Sequence, residues 1–416
     1  MPDFQIDDLI YDWNAEGGDL VRPAQSIEFD DETLRDGLQS PSVKDPSIDV
    51  KIEILHLMDR LGIHTANIGL PGAGPRAAAD VTRLAREIAD AGLSIGANCA
   101  ARTLKADIDP VVEISQRAGI PIECCTFIGS SPIRQYAEGW ELDWIVKTSE
   151  EAVSYAVGQG VPVMYVTEDT TRARPTALER LYTAAIEAGA ARICLADTVG
   201  HATPDGARNL VRWAKDLVAR TGADVKVDWH GHRDRGLGLA NALAAIVAGA
   251  DRVHATGLGI GERVGNAEMD LLLVNLKLLG WIDTDLSALP EYCRRIAEST
   301  GVPLPVNYPV VGEDAFRTGT GVHAAAVIKA AKKGEAWLAD RVYSGVPAGW
   351  VGRRQRIEVG HMSGKSNVEY WLTSRGYPTD PELVDRIFDL AKRSDHTLSD
   401  REIESLIDGD RPTAGD

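Results

Sequence analysis

From Ser26 onward, short β-type runs alternate with amphipathic helical stretches, and the alternation occurs eight times. The strand candidates are residues 26–31, 64–69, 93–98, 121–127, 161–167, 191–196, 224–229 and 251–256. Between them the apolar residues recur at helical spacing over 49–61, 76–91, 110–118, 140–158, 176–188, 204–219, 236–248 and 266–279. Several helical stretches stop at glycine before a small or β-branched residue, as in Leu61-Gly62-Ile63, Ala118-Gly119-Ile120 and Ala188-Gly189-Ala190. That is the punctuation of a helix C-terminus feeding a strand. Eight such units within about 250 residues predict a (β/α)8 TIM barrel. An open doubly wound sheet is the competing architecture, but eight successive units are rare in it.

The rhythm ends near Gly280. A helix is expected over 288–300, then the Pro-rich run 302–309 resists both helix and central strand and reads as a linker. Helical stretches follow at 322–332 and 366–374, with a charged helical tail from 381 to 407. The expected organisation is an N-terminal extension (1–25), a barrel (26–282), a small, mainly helical C-terminal region (283–377) and the tail (378–416). Everything beyond 283 reads as too small and polar to hold a core of its own, and is expected to pack on the barrel or on a partner subunit.

Charge and cysteine content narrow the function. A formal charge of −18 argues against nucleic-acid and anionic-membrane partners, so an anionic substrate would need a local cationic cluster. No apolar run approaches the ~18 residues of a membrane span, and the N-terminus lacks the basic-then-apolar pattern of a signal peptide. A cytoplasmic location is expected. Cys99, Cys124, Cys125, Cys194 and Cys293 include no CxxC pair, and four of them sit in apolar strand-like runs. They read as buried free thiols.

The strand candidate Val225-Lys226-Val227-Asp228-Trp229 runs into His230-Gly231-His232. Alternate side chains on a strand share a face, so two imidazoles would project together, as half of a divalent-metal site. In TIM barrels the reactive groups collect at the C-terminal strand ends. Arg35 and Asp36 follow strand 1, and Asn266 follows strand 8. Barrel closure would bring Asp36, His230, His232 and Asn266 together as carboxylate, imidazole and amide ligands for Mn, Mg, Zn or Co. Each motif alone has a plainer reading, a solvent-facing HxH or a surface ion pair; their shared placement favours the metal.

These residues carry a resemblance. Asp31-Glu32-Thr33-Leu34-Arg35-Asp36-Gly37-Leu38-Gln39, His230-Gly231-His232-Arg233-Asp234 and Gly259-Ile260-Gly261-Glu262-Arg263-Val264-Gly265-Asn266 resemble signatures of the DRE-TIM metallolyase superfamily. The likeness is greatest to its Claisen-condensing branch of 2-isopropylmalate and homocitrate synthases. It spans residues 26–375 and includes Thr167-Glu168-Asp169, Asp197-Thr198-Val199-Gly200, Gly321-Val322-His323 and His361-Met362-Ser363-Gly364-Lys365. It implies that the methyl carbon of acetyl-CoA adds to the ketone of a 2-oxo acid, and that thioester hydrolysis releases CoA and a 2-alkylmalate-type product. By resemblance, Arg35 stabilises the developing alkoxide and Thr198, with Gln39, binds the acceptor. Arg102 is a further candidate for an anionic group, with a surface ion pair as the alternative. Glu168, His323 and Tyr343 would serve proton removal from the acetyl group. His323 and Tyr343 would reach the barrel of the other subunit, implying a homodimer with shared active sites.

For the CoA phosphates, Arg353, Arg354 and Arg356 form the densest basic cluster, though a solvated basic face reads as well. The Gly257-Leu258-Gly259-Ile260-Gly261 run lacks the spacing of a dinucleotide loop. The chain departs from the family at Arg233, where Asn is usual, at Leu38, where Glu is usual, and at Asn67, where an acid is common. Cys194-Leu195-Ala196 replaces the Asn-x-Pro of isopropylmalate synthases and is closer to the homocitrate pattern. The chain ends without their leucine-binding domain, so leucine inhibition is not expected. Two alternatives remain: a metal-dependent C–C lyase or aldolase on the same scaffold, and a non-catalytic homologue. The lyase is disfavoured because the glycine loop holds Glu262 and Arg263 where a reactive cysteine would stand, and the homologue because Arg35, Asp36, His230 and His232 are all intact.

Overall fold

The computed structural model describes residues 9–17 and 21–408. The strands are β1 (Glu28–Asp31), β2 (Thr65–Asn67), β3 (Gly96–Arg102), β4 (Ile122–Gly129), β5 (Val163–Glu168), β6 (Arg192–Asp197), β7 (Lys226–Gly231) and β8 (Arg252–Ala255). They form a closed parallel barrel in chain order, with helices between successive strands. Closure runs through β8 onto β1, Phe29 opposite Val253 and Asp31 opposite Ala255.

Several element bounds within the barrel shift by a few residues from the sequence expectation, and two of the shifts have a local cause. The third strand starts at Gly96 rather than 93, because the backbone N–H groups of Ser94 and Ile95 donate to Asp59 Oδ1 and are lost to the ladder. The helix expected from Pro110 begins at Lys105; proline removes one N–H near the helix start without ending it. An unexpected short helix, Pro132–Glu138, follows β4, begun by the Ser131 side chain accepting from the Arg134 N–H and by proline at the first helical position.

Strand periodicity explains the barrel interior. Glu28, Asp30 and Glu32 leave β1 at alternate positions, as do Asp228, His230 and His232 along β7 and Arg252 and His254 on β8. Toward the N-terminal ends of the strands they interlock. Arg252 reaches Asp228 at 2.6 Å and Glu123 at 2.5 Å, and Arg192 reaches Asp228 at 3.0 Å and Glu123 at 3.4 Å. A charged network therefore fills space that branched apolar side chains commonly occupy in this architecture.

The chain divides into two compact units. The first holds the barrel together with Glu291–Val302, and the second comprises Asp285–Pro290 and the chain from Pro303. The second has its own apolar core, contrary to the expectation for the region after 283. Val368, Trp371 and Leu372 of helix Lys365–Ser374 pack with Leu383, Val384, Ile387 and Ala391 of helix Pro381–Arg393 and with Leu398 and Ile403. The tail is thus part of this core, and it is two helices rather than one, Pro381–Arg393 and Asp400–Asp408. The polar run Ser394-Asp395-His396 separates them, with Ser394 leaving helical geometry at ψ 149°. The unit also holds helix Gly321–Lys332, whose Ala324, Val327 and Ile328 pack with Ile357, the short helix Ala336–Arg341, and the two-residue strands Arg317–Thr318 and Arg356–Ile357. The outer parts of the expected N-terminal extension and tail, residues 1–8, 18–20 and 409–416, lie outside the described residues. Among the described residues no helix is long and apolar enough to cross a membrane. All five cysteines are buried and unpaired, as expected from their apolar surroundings.

Candidate metal centre and active site

After β1 the chain reverses sharply. The N–H groups of Arg35 and Gly37 both donate to the Glu32 carbonyl, at 3.1 and 3.0 Å, which sets Asp36 at the start of a 3-10 turn. Asp36 Oδ2 stands 3.7 Å from His230 Nε2 and 3.7 Å from His232 Nε2. The three ligand atoms lie within 4.8 Å of one another, and all three residues are buried. Asn266 is bridged to His232 through the backbone, and its Nδ2 donates to Asp36 Oδ1 at 3.1 Å. Its Oδ1 and the Nδ1 of His232 are buried without a hydrogen-bond partner. A buried oxygen left unsatisfied carries a free-energy penalty that a ligand can relieve, and the Asn266 Oδ1 is such an atom, whereas the His232 Nδ1 lies across the ring from the Nε2 that faces Asp36.

The glycine loop makes room for this cluster. Gly261 has φ +146°, and a Cβ there would stand 2.3 Å from Asn266 Nδ2 and 3.0 Å from Asp36 Oδ1. Its role is close backbone approach beside the carboxylate.

The electrostatics suit a cation. Burial raises the Asp36 pKa, but Arg35, His230 and His232 outweigh it and hold the carboxyl below its usual value. Burial and the neighbouring His230 push His232 down to about 4, so at neutral pH its imidazole keeps a lone pair. An ionised carboxylate, two imidazoles and an unsatisfied amide oxygen are a donor set that fits a divalent metal ion.

A cavity of about 570 Å³ opens beside these groups at the C-terminal end of the barrel. Arg35, Asp36, Gln39, Glu168, Thr198, His230 and His232 line it, together with Asn67. Arg35 pairs with Asp36 at 3.1 Å and contacts Glu32. Thr198 Oγ1 accepts the Asp169 N–H at 2.8 Å, which leaves its own hydroxyl proton to donate. Burial raises the Glu168 pKa, only partly offset by Arg134 at 3.8 Å. Glu32, His254, Glu262 and Arg263 also face it, and the small or apolar part of the wall is Leu70, Ala100, Cys125, Phe127, Met164, Val166, Cys194 and Ala196.

Other expected residues stand elsewhere. Arg102 does not line the cavity; it is an exposed side chain held by Asp107 through Nε at 2.7 Å and Nη2 at 2.8 Å, so the surface ion pair is the correct reading. His323 and Tyr343 belong to the second unit, where their rings stack at 4.3 Å and both are exposed. Arg353 is not a free phosphate ligand: its guanidinium donates to the carbonyls of Val310, Gly312 and Glu313, and Arg356 lies 3.5 Å from Glu358. Leu38 lines a neighbouring pocket, not this cavity. Arg233, the departure next to His232, donates to the Val264 carbonyl at 2.9 Å and pairs with Glu268, fastening the glycine loop.

Two cavity residues escape motif reading, Glu32 and His254. Glu32 Oε1 stands 2.9 Å from His254 Nδ1, and His254 Nε2 stands 3.1 Å from Asp228 Oδ2. Burial works against charge on His254, but hydrogen bonds to Asp228 and Glu32 outweigh it and raise its pKa to about 10. The available signal was charge at strand period: Glu28, Asp30 and Glu32 on one strand and its exit, Arg252 and His254 on another.

The HMGL-like family model matches residues 26–294. Over 378 residues the chain is 34% identical to a protein of Ignicoccus hospitalis named a probable 2-isopropylmalate synthase, covering 90% of this chain and 89% of that one. A Methanopyrus kandleri protein named homocitrate synthase is 33% identical over 384 residues, 92% of this chain and 89% of its own. The barrel resembles the crystal structure of a hydroxymethylglutaryl-CoA lyase from Pseudomonas aeruginosa, with TM-score 0.55, 20% identity, and coverage of 67% of this chain and 94% of that one. At that identity the likeness is one of fold.

Proposed function

The chain belongs to the HMGL-like family, and from that premise we propose that it is a metal-dependent acyltransferase condensing acetyl-CoA with a 2-oxo acid, water then hydrolysing the thioester to give a 2-alkylmalate-type product and CoA. The observation that carries this reading is the convergence of Asp36, His230 and His232 beside a cavity holding both Arg35 and Glu168. Asp36, His230, His232 and Asn266 would hold the divalent ion, and an ion bound there supplies Lewis-acid polarisation of a ketone. The Arg35 guanidinium, already beside Asp36, stabilises negative charge growing on the ketone oxygen. Thr198 donates its hydroxyl proton to the acceptor carboxylate, and Gln39 contributes from the same wall. Glu168 takes part in moving the acetyl methyl proton, a role suited to a carboxyl whose pKa burial has raised. His323 and Tyr343 of the partner subunit complete proton transfer in a homodimer with shared sites.

The lining also bears on the acceptor. Both of its guanidinium groups are engaged: Arg35 by Glu32 and Asp36, and Arg263 by Asp234 at 2.7 Å. A second carboxylate placed against the apolar part of the wall, Ala100, Cys125, Phe127, Met164, Val166 and Cys194, would be desolvated at a cost. An apolar 2-oxo acid therefore fits better than 2-oxoglutarate. The lyase alternative gains nothing from the cysteines in the wall, because burial raises the pKa of Cys125 and Cys194 far above that of a free thiol.

The test supplies Mn²⁺ or Mg²⁺, acetyl-CoA and a panel of 2-oxo acids, and follows CoA thiol release with a disulfide dye. Release that requires one apolar acceptor and disappears with a chelator is the expected result. Absence of release with every acceptor, together with cleavage of a hydroxyacyl substrate, would overturn the assignment.

A further inference from the structure

Two clusters in the barrel mouth have metal-ligand composition: Asp36 with His230 and His232, and Glu32 with His230 and His254. They share His230, so they cannot be independent sites. In the second, both ring nitrogens of His254 face carboxylates, Nδ1 toward Glu32 Oε1 at 2.9 Å and Nε2 toward Asp228 Oδ2 at 3.1 Å. A histidine donating from both nitrogens has no lone pair for a cation. The second cluster is therefore not a metal site, and its function must lie in what it holds.

It holds Glu32. This carboxylate is buried, 3% exposed, and each of its oxygens has a separate duty. Oε1 is fixed by His254, which is itself anchored through Asp228 to Arg252 at 2.6 Å. Oε2 meets Arg35 Nη2 and stands 3.4 Å from His230 Nδ1. His230 thus has Glu32 at Nδ1 and Asp36 at Nε2, at 3.4 and 3.7 Å. A carboxylate beside one ring nitrogen keeps the proton there and leaves the other nitrogen free for a ligand. His232 has no such support, since its Nδ1 is without a partner. Register explains the arrangement: His230 pairs with His254 across β7 and β8, His254 pairs with Asp30 across β8 and β1, and Glu32 is the next alternate residue after Asp30, its N–H donating to the Ala255 carbonyl at 2.9 Å.

We propose that Glu32 is the positioning residue of the centre, orienting His230 and Arg35 together while His254 and Asp228 fix it from below. The proposal rests on the metal reading above. Glu32 touches neither substrate nor metal in this scheme; it acts through His230 and Arg35. One carboxylate thereby couples the geometry of a metal ligand to that of the group stabilising the alkoxide.

The experiment measures Mn²⁺ binding to metal-free protein by calorimetry, and histidine side-chain nitrogen NMR on the same sample. Wild type should bind, with His230 carrying its proton on Nδ1. In Glu32→Gln the affinity should fall by about 10- to 100-fold, the range for loss of a partner behind a metal-bound histidine. The His230 signal should shift toward a tautomer mixture while that of His232 stays in place, a selectivity that general destabilisation would not produce. Should Glu32→Gln fail to fold, Glu32→Asp keeps the buried charge but is one methylene too short to hold both histidines, and the same loss of affinity is expected. Wild-type affinity with an unchanged His230 tautomer in the folded variant would overturn the role of Glu32 and leave the metal centre standing. No Mn²⁺ binding by wild type would instead overturn the metal reading and this inference with it.

Discussion

His230 and His254 are register partners on adjacent strands, their ring centroids 5.8 Å apart, yet only His230 can face a cation. His230 turns Nε2 toward Asp36, whereas both nitrogens of His254 meet carboxylates. The difference comes from their neighbours, not from the residue type, and it separates substitutions that remove the metal from those that remove chemistry.

His232→Ala deletes a donor and should abolish metal binding. Arg35→Ala should leave metal binding close to wild type while lowering kcat by about 10²- to 10³-fold, the usual consequence of losing a donor to a developing oxyanion. Calorimetry for the metal and steady-state thiol release separate the two. Arg35→Ala with wild-type kcat would remove Arg35 from the mechanism.

Gly261→Ala should disable the centre although no ligand changes. Its φ of +146° disfavours any side chain, and the new Cβ would collide with Asn266 and crowd Asp36. A backbone cost of about 1–3 kcal/mol is expected from the conformation alone. The measurement pairs chemical denaturation with metal content, and both should fall.

Asp31 gives a signed dependence on pH. Burial raises its pKa to about 7 against the opposing hydrogen bonds of Thr33 and Tyr292. Between the ordinary carboxyl value and about 7 the folded state retains a proton that the unfolded chain releases, so this group's contribution to stability falls as pH rises through that window. Above about 7 it levels off. Asp31→Asn carries no such charge, so its Tm relative to wild type should increase steadily from pH 4 to 7. A difference independent of pH would show that Asp31 is ionised in the fold.

Thiol accessibility provides a simple check on packing. All five cysteines are buried, so native protein should show no rapid reaction with a disulfide dye, and denatured protein should show five equivalents. The same silence keeps the CoA-release assay free of background.

Ile387 lies in the core of the second unit and is fully buried. Ile387→Ala should destabilise that unit by about 2–5 kcal/mol, read as earlier proteolysis beyond Pro303 while the barrel resists. If the tail were only a surface appendage, the substitution would leave proteolysis unchanged.

Much of this protein could be read along the chain because the relevant information is local. Strand-helix alternation, glycine-capped helix ends and a pair of histidines at strand spacing each depend on residues within a few positions of one another, and together they determined the barrel and nominated Asp36, His230, His232 and Asn266. What only the tertiary structure decided depends on closure. Glu32, Asp228 and His254 stand far apart in sequence, and become one network only when β1, β7 and β8 are laid side by side. Arg102 and Arg353 looked available for anions until the fold supplied Asp107 to one and three backbone carbonyls to the other. Whether a charged side chain is free or engaged is a property of its neighbours in space, and the chain order does not contain them.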